Sequence, residues 1–178
     1  MRENYSKSNW YVITGGPSSG KTTVLKELEK KGYIIYYEAA RIFIDGEIKK
    51  GKSLIEIRRE PEFSREVLKI KIEIEKNAPQ NKIVFFDRAI PDSVAYYQIH
   101  GMDSKEVFKF SKKNVYKKVF FFEQLSFEQD YARNEDAKTT QKLGNFLKES
   151  YKILGYEIIN IPAVSVEERV QKILEEIS

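Results

Sequence analysis

No cysteine occurs in this chain of 178 residues. Disulfides, zinc–thiolate centres and a cysteine nucleophile are thereby excluded. Histidine is nearly as scarce: His100 is the sole example, too few for a metal cage built from imidazoles. No apolar run approaches the ~20 residues that a membrane span needs. The first seven residues, Met1 to Lys7, lack the apolar stretch of a secretory signal, so the expected address is cytoplasmic. Repeats, low-complexity tracts and linkers are missing too, and one domain over residues 1–178 is expected. The charge is +4 with 41% hydrophobic residues, ordinary for a globule with a sizeable core. The lysines are scattered, apart from Lys112-Lys113 and Lys117-Lys118 beside an apolar run. A solvated rim explains that pattern, and nucleic acid is not expected as a partner.

What the chain does contain is a recurring alternation of short apolar runs and helical patterns. Trp10 to Thr14 reads as a strand, followed by a helix over about 21–31 that Gly32 stops. Tyr33 to Tyr37 is a second strand. A helical region over about 39–77, broken near Gly51 and Pro61, ends in an amphipathic helix with Val67, Leu68, Ile70 and Ile74 at helical spacing. Lys82 to Phe86 is a third strand ending on Asp87-Arg88, and a helix starts near Pro91 and closes before Gly101. A short helix over about 104–112 precedes the fourth strand, Lys118 to Phe122. A polar stretch over about 123–136 leads to a helix over about 137–154. Glu157 to Ile161 is the fifth strand, and Ser165 with Glu168 forms a capping box for the last helix. Strands alternating with helices imply an α/β fold, with a five-stranded parallel sheet and helices on both faces.

The first strand runs into Gly15-Gly16-Pro17-Ser18-Ser19-Gly20-Lys21-Thr22, with Thr23 beyond. This is G-x-x-x-x-G-K-[ST] in the setting it requires, strand then loop then helix. Backbone N–H groups of such a loop, together with the helix N-terminus, surround a phosphate chain. Lys21 is expected to reach the β- and γ-phosphates from an exposed loop, and the Thr22 hydroxyl to bind Mg²⁺. Nucleotide triphosphate binding follows. No Asn-Lys-x-Asp guanine motif is present, which favours ATP. Pro162-Ala163-Val164 after the fifth strand is a candidate base wall, or simply the turn that caps the last helix.

Asp87 stands where ligands bind in open α/β sheets, at the carboxyl end of a strand. It can hold Mg²⁺ or accept a proton from an attacking hydroxyl, and Arg88 favours its ionised form. An Asp-Arg pair at this place resembles the thymidylate kinase and deoxynucleoside kinase group of P-loop proteins. A closer resemblance is to the NadR-like AAA-domain family, which includes nicotinamide riboside kinase domains. It is carried by the phosphate loop, by Glu38-Ala39-Ala40-Arg41, and by Phe86 to Tyr97. Asp130-Tyr131-Ala132-Arg133 and Ser165 to Arg169 complete it. The resemblance implies a three-layer P-loop fold with a lid over about 123–136, and ATP with Mg²⁺ as cofactors.

It also implies an acceptor site formed by the helices over about 39–77, with Glu38, Arg41, Arg88, Asp92 and Asp130 as substrate residues. The bland alternatives are an i,i+3 ion pair between Glu38 and Arg41 and a helix-dipole role for Asp92. Tyr96 and Tyr97 can stack on a ring or pack in the core. Arg133 is the lid cation expected to meet charge that builds during transfer; the alternative is an ordinary surface loop. The leading expectation is an ATP- and Mg²⁺-dependent kinase of a small nucleoside- or nucleotide-like acceptor. A nucleotide-binding switch, or a simple ATPase, is the other.

Overall fold

A computed structural model describes residues 8–112, 115–125 and 134–178, residues 134–140 by their backbone. The elements run β1 (Trp10–Gly15), α1 (Lys21–Lys30), β2 (Ile34–Tyr36), α2 (Ala39–Lys49), α3 (Leu54–Ile57), α4 (Glu62–Asn77) and β3 (Val84–Asp87). They continue α5 (Asp92–Ile99), α6 (Lys105–Ser111), β4 (Lys118–Phe122), α7 (Asn134–Ile153), β5 (Ile158–Ile161) and α8 (Val166–Ile177). The strands form one parallel sheet in the order β2-β3-β1-β4-β5, the α/β architecture the alternating pattern predicts. The start of α7 lies at Asn134, three residues earlier than expected. Asn134-Glu135-Asp136, read as the end of a polar loop, is also a sequence that suits a helix N-terminus.

Strand residues alternate between two cores, as the pleat demands. Tyr11, Ile13, Phe120 and Phe122 pack with Val24, Leu25 and Leu28 of α1 and Val170 and Ile173 of α8. Trp10, Val12, Phe86 and Val119 face the other way, toward Ala78, Tyr116 and Tyr151. Both faces of β1 and β4 are therefore buried, which explains their unbroken apolar sequences. Among the described residues, no helix is long and apolar enough to cross a membrane.

The sheet order puts β1 between β3 and β4, with Ile13 opposite Asp87 and Gly15 opposite Phe122. Connections leave β1 and β3 for opposite directions in chain order, so a crevice opens above their carboxyl ends. Asp92 fastens that region. Thr14 Oγ1 and Tyr151 Oη both donate to its carboxylate, and the Ala89 N–H donates to Oδ2 at 2.8 Å. The residue is completely buried. One side chain thus joins β1, the β3–α5 turn and α7.

A buried carboxylate deprived of a donor loses about 1–3 kcal/mol. Tyr151→Phe keeps the ring and removes one such donor. Urea unfolding of the variant is expected to show a loss of that size at unchanged m-value, and an unaltered midpoint would contradict the tie.

Candidate functional site

The loop 15–22 is shaped by three residues with positive φ: Gly15 at 142°, Ser18 at 57° and Gly20 at 84°. A Cβ on Gly15 would lie 2.6 Å from the Phe122 carbonyl oxygen of β4, so neither conformation nor space allows a side chain there. Ser19 Oγ donates to the Gly16 carbonyl at 2.9 Å, and Gln124 Nε2 donates to the Pro17 carbonyl at 2.8 Å. Gly20 caps α1 without any side-chain hydrogen bond, leaving first-turn N–H groups directed at the cleft. Pro17, Ser18, Thr22 and Thr23 are exposed, Gly16 and Ser19 buried.

Lys21 departs from the expectation of an exposed side chain. It is buried, with Nζ donating to the Gly16 carbonyl at 2.8 Å, to the Gly15 carbonyl at 3.2 Å and to Ser19 Oγ at 3.2 Å. The ammonium is thus folded back on the loop's own carbonyls. Burial, and then Arg88, lowers its pKa to about 8, against the pull of Asp87.

Asp87, the last residue of β3, is also buried. Burial and the nearby Glu38 raise its pKa to about 6, opposed by Lys21 and Arg88. Its Oδ1 has no hydrogen-bond partner among the described residues. An orphaned buried carboxylate oxygen and an exposed threonine hydroxyl, Thr22, lining the same cleft are donors of the kind that fits a hard divalent cation. Mg²⁺ needs few protein ligands when phosphate and water supply the rest. Among the described residues no group of three or more acidic or histidine ligands forms a self-sufficient cage.

Arg88 occupies the left-handed region at φ 63°, a conformation that costs a non-glycine residue about 1–3 kcal/mol. Its Nη1 donates to Tyr96 Oη, and its Cζ lies 5.4 Å from that ring's centroid. Nε is 3.1 Å from Glu38 Oε1, an ion pair whose alignment falls short of a hydrogen bond. Glu38, Asp87, Arg88, Lys21 and Tyr96 thus share one cleft of about 380 Å³ with the phosphate loop. A second cavity of about 560 Å³ adjoins it, with Pro17, Glu38 and Tyr96 common to both. Ile44, Phe63 and Val67 give the second cavity apolar walls, while Arg41, Arg58 and Lys71 bring positive charge to it.

One ion pair and one expected substrate residue are placed otherwise than the pattern suggested. Arg41 lines the second cavity, but its exposed side chain approaches Asp45 at 3.5 Å and not Glu38. The i,i+4 spacing along α2 serves that pair better than the helix-start geometry of Glu38. Asp92 lines neither space; both of its oxygens are engaged beneath the site, and its neighbour Ser93 faces the cavity instead. Tyr97 is buried in the core at the cavity wall, whereas Tyr96 stands at the junction. Asp130 and Arg133 lie outside the described residues.

Lys71 is a site residue that the motifs do not mark. It is buried on α4, lines the second cavity, and its Nζ donates to Ser93 Oγ at 3.1 Å. No carboxylate among the described residues lies within ion-pair distance, and burial pushes its pKa down. The available signal was a lysine on the buried stripe Val67, Lys71, Glu75, spaced as core residues are.

A parallel sheet in this order, with a glycine-rich loop between β1 and α1 and an Asp-Arg pair at the end of β3, defines the P-loop kinase fold. A family model described as an AAA domain matches residues 10–169. The chain belongs to that family. Its structure is similar to thymidylate kinase from Ehrlichia chaffeensis, with TM-score 0.67 and 14% identity over 95% of this chain and 98% of that one. It is also similar to deoxyadenosine kinase from M. mycoides, with TM-score 0.61 and 19% identity over 94% of this chain and 97% of the other. A NadR protein in complex with NR gives TM-score 0.61 and 17% identity, over 87% of this chain and 44% of that one. Comparison with curated protein sequences found no match.

The raised Asp87 pKa carries a stability signature. Below 3.8 the carboxyl is protonated in the folded and unfolded chain alike. Between 3.8 and about 6 the folded chain holds the extra proton, so stability falls as pH rises through that window. Asp87→Asn removes the penalty. The variant is expected to be more stable than the parent by about 2–3 kcal/mol at pH 7, with no gain near pH 3.5. Denaturant melts at both pH values check this; a destabilised variant at pH 7 would refute it.

Proposed function

We propose that this protein is an ATP- and Mg²⁺-dependent kinase acting on a small nucleoside- or nucleotide-like acceptor. The observation that supports it is the pairing of two spaces. A phosphate-loop cleft opens through Pro17, Glu38 and Tyr96 onto a separate, mostly apolar cavity large enough for a second small molecule. A nucleotide switch has no need of the second space.

In this reading ATP places its phosphates along the loop N–H groups, and Lys21 exchanges the Gly15 and Gly16 carbonyls for phosphate oxygens. Anionic phosphate raises the Lys21 pKa and keeps the ammonium charged. The acceptor occupies the adjoining cavity with its nucleophilic oxygen toward Glu38 and Arg88. Transfer breaks the bond between the γ-phosphorus and the bridging oxygen of ADP and forms one to the acceptor oxygen. A hydroxyl acceptor's proton passes to a cleft carboxylate, Asp87 or Glu38. Thr22 and Asp87 would hold Mg²⁺, which neutralises charge on the β- and γ-phosphates. Arg88, kept charged by the carboxylates of Glu38, Asp92 and Asp87 despite its burial, orients oxygens of the acceptor or the moving phosphoryl group. By the family pattern Arg133 supplies a further lid cation, and Asp130 serves to orient it or the acceptor.

One observation favours the alternative, a nucleotide-dependent regulatory module. Ile42, Ile48, Leu54 and Ile55 of α2 and α3 are exposed, Ile55 at 82%, and exposed apolar surface suits a partner.

A screen of nucleosides, nucleotides and pyridine ribosides for acceptor-dependent ADP release with Mg-ATP separates the two. One class of acceptor is expected to stimulate release at least about tenfold. Asp87→Asn should reduce transfer by about 10²-fold or more, and Arg133→Ala should lower turnover while shifting ATP affinity only a few-fold. Intact ATP binding with no stimulating acceptor overturns the kinase reading in favour of the module.

A further inference from the structure

Arg169 is a buried cation with an incomplete set of partners. It leaves α8 directly after the Ser165–Glu168 capping box, one turn beyond the Ser165 cap that sets where that helix begins. The residue is 2% exposed, and its Cζ lies 5.2 Å from the Phe122 ring centroid. Nη1 donates to the Ser19 carbonyl at 2.6 Å. Nε and Nη2 are buried without a hydrogen-bond partner among the described residues, and no carboxylate there lies within ion-pair distance. Among the described residues only Glu123 acts on it electrostatically, from beyond contact distance; a buried guanidinium so weakly compensated is costly, and a methionine of similar volume would fill the space without that cost. Packing alone therefore does not account for an arginine at this place.

The contact it makes suggests what does. In a planar trans peptide the C=O and N–H point in opposite directions. With the Ser19 carbonyl held toward α8, the Gly20 N–H faces away from α8. The cleft lies on that side: Ser19, Gly20 and Lys21 line it, and Arg169 does not. A Cβ on Gly20 would sit 2.9 Å from Nη1, so the missing side chain of the motif's second glycine also makes room for this guanidinium.

We propose that Arg169 is a positioning residue for the phosphate loop. It clamps the Ser19–Gly20 peptide from behind, fixes the direction of the Gly20 N–H, and sets a permanent positive charge behind the loop. The counter-charge is the oxyanion bound in front, the phosphate chain of a nucleoside triphosphate or an inorganic pyrophosphate. The choice of ligand rests on the nucleotide reading above; the clamp itself does not.

The experiment compares Arg169→Met and Arg169→Lys with the parent. It measures Mg-ATP and pyrophosphate affinity by calorimetry, thermal midpoint, and the Gly20 amide resonance by NMR. Arg169→Met is expected to melt at or above the parent midpoint, because a buried unpaired charge has gone. It should bind both ligands about tenfold more weakly or worse, the worth of one charge-assisted hydrogen bond, with a displaced Gly20 resonance. Equal factors for ATP and pyrophosphate are expected, since the clamp acts on phosphate and not on base. Arg169→Lys, which keeps the charge, should recover part of the affinity. Failure of Arg169→Met to fold, or affinity loss that merely tracks a lowered midpoint, would make Arg169 a packing residue and overturn the proposal. So would parental affinity with an unmoved Gly20 resonance. A parent protein that binds neither ligand overturns the nucleotide reading instead, and the Gly20 resonance then still decides the clamp.

Discussion

The buried carboxylate of Asp92 holds together the parts on which the cleft depends. Thr14 precedes the phosphate loop, Ala89 follows Asp87-Arg88, and Tyr151 belongs to α7; all three donate to this one side chain. The carboxyl end of β1 is thereby fixed against the turn after β3, in addition to the ladder that sets Ile13 opposite Asp87. A low-dielectric interior strengthens such bonds and penalises any arrangement that leaves the carboxylate without them. The relative position of loop and Asp-Arg pair is therefore sharply defined before any ligand arrives.

Above that fixed base the charges are poorly matched. Asp87 is held above its ordinary pKa and has an oxygen without a partner. Lys21 is held below its ordinary pKa and satisfies itself on loop carbonyls. Lys71 and Arg169 are buried cations with one hydrogen bond each and, among the described residues, no carboxylate within ion-pair distance. Arg88 adopts a strained backbone conformation to reach Glu38 and Tyr96. Strain and unpaired charge gathered around the phosphate loop and its two adjoining spaces, while the rest of the core is conventionally packed, is the pattern a trade between stability and function leaves.

Much of this was legible in the order of residues. Phosphate-loop chemistry requires particular residues at fixed spacing, so Gly15 to Thr22 announce themselves locally. Apolar runs bounded by turn residues located all five strands, because both faces of β1 and β4 are buried and their sequences have little freedom. The Ser165–Glu168 capping box is an i,i+3 relation and needs no knowledge of the fold. Asp87 and Arg88 were marked by ending a buried strand, and Glu38 by following a half-buried one.

What only the tertiary structure decided concerns charged side chains, whose partners lie far along the chain. Asp92 looks like any acidic residue opening a helix, until Thr14 and Tyr151, 78 and 59 positions away, close on it. Arg41 turns to Asp45 because Glu38 is drawn to Arg88 across the cleft. Lys71 shares the helical spacing of core residues, and only the cavity beside it distinguishes it. Arg169 meets the phosphate loop across 150 positions. Local spacing determines backbone conformation and which face is apolar, since those depend on neighbours in the chain. The partner a charge finds, and hence whether it is spent on the fold or left for a ligand, depends on how the layers meet.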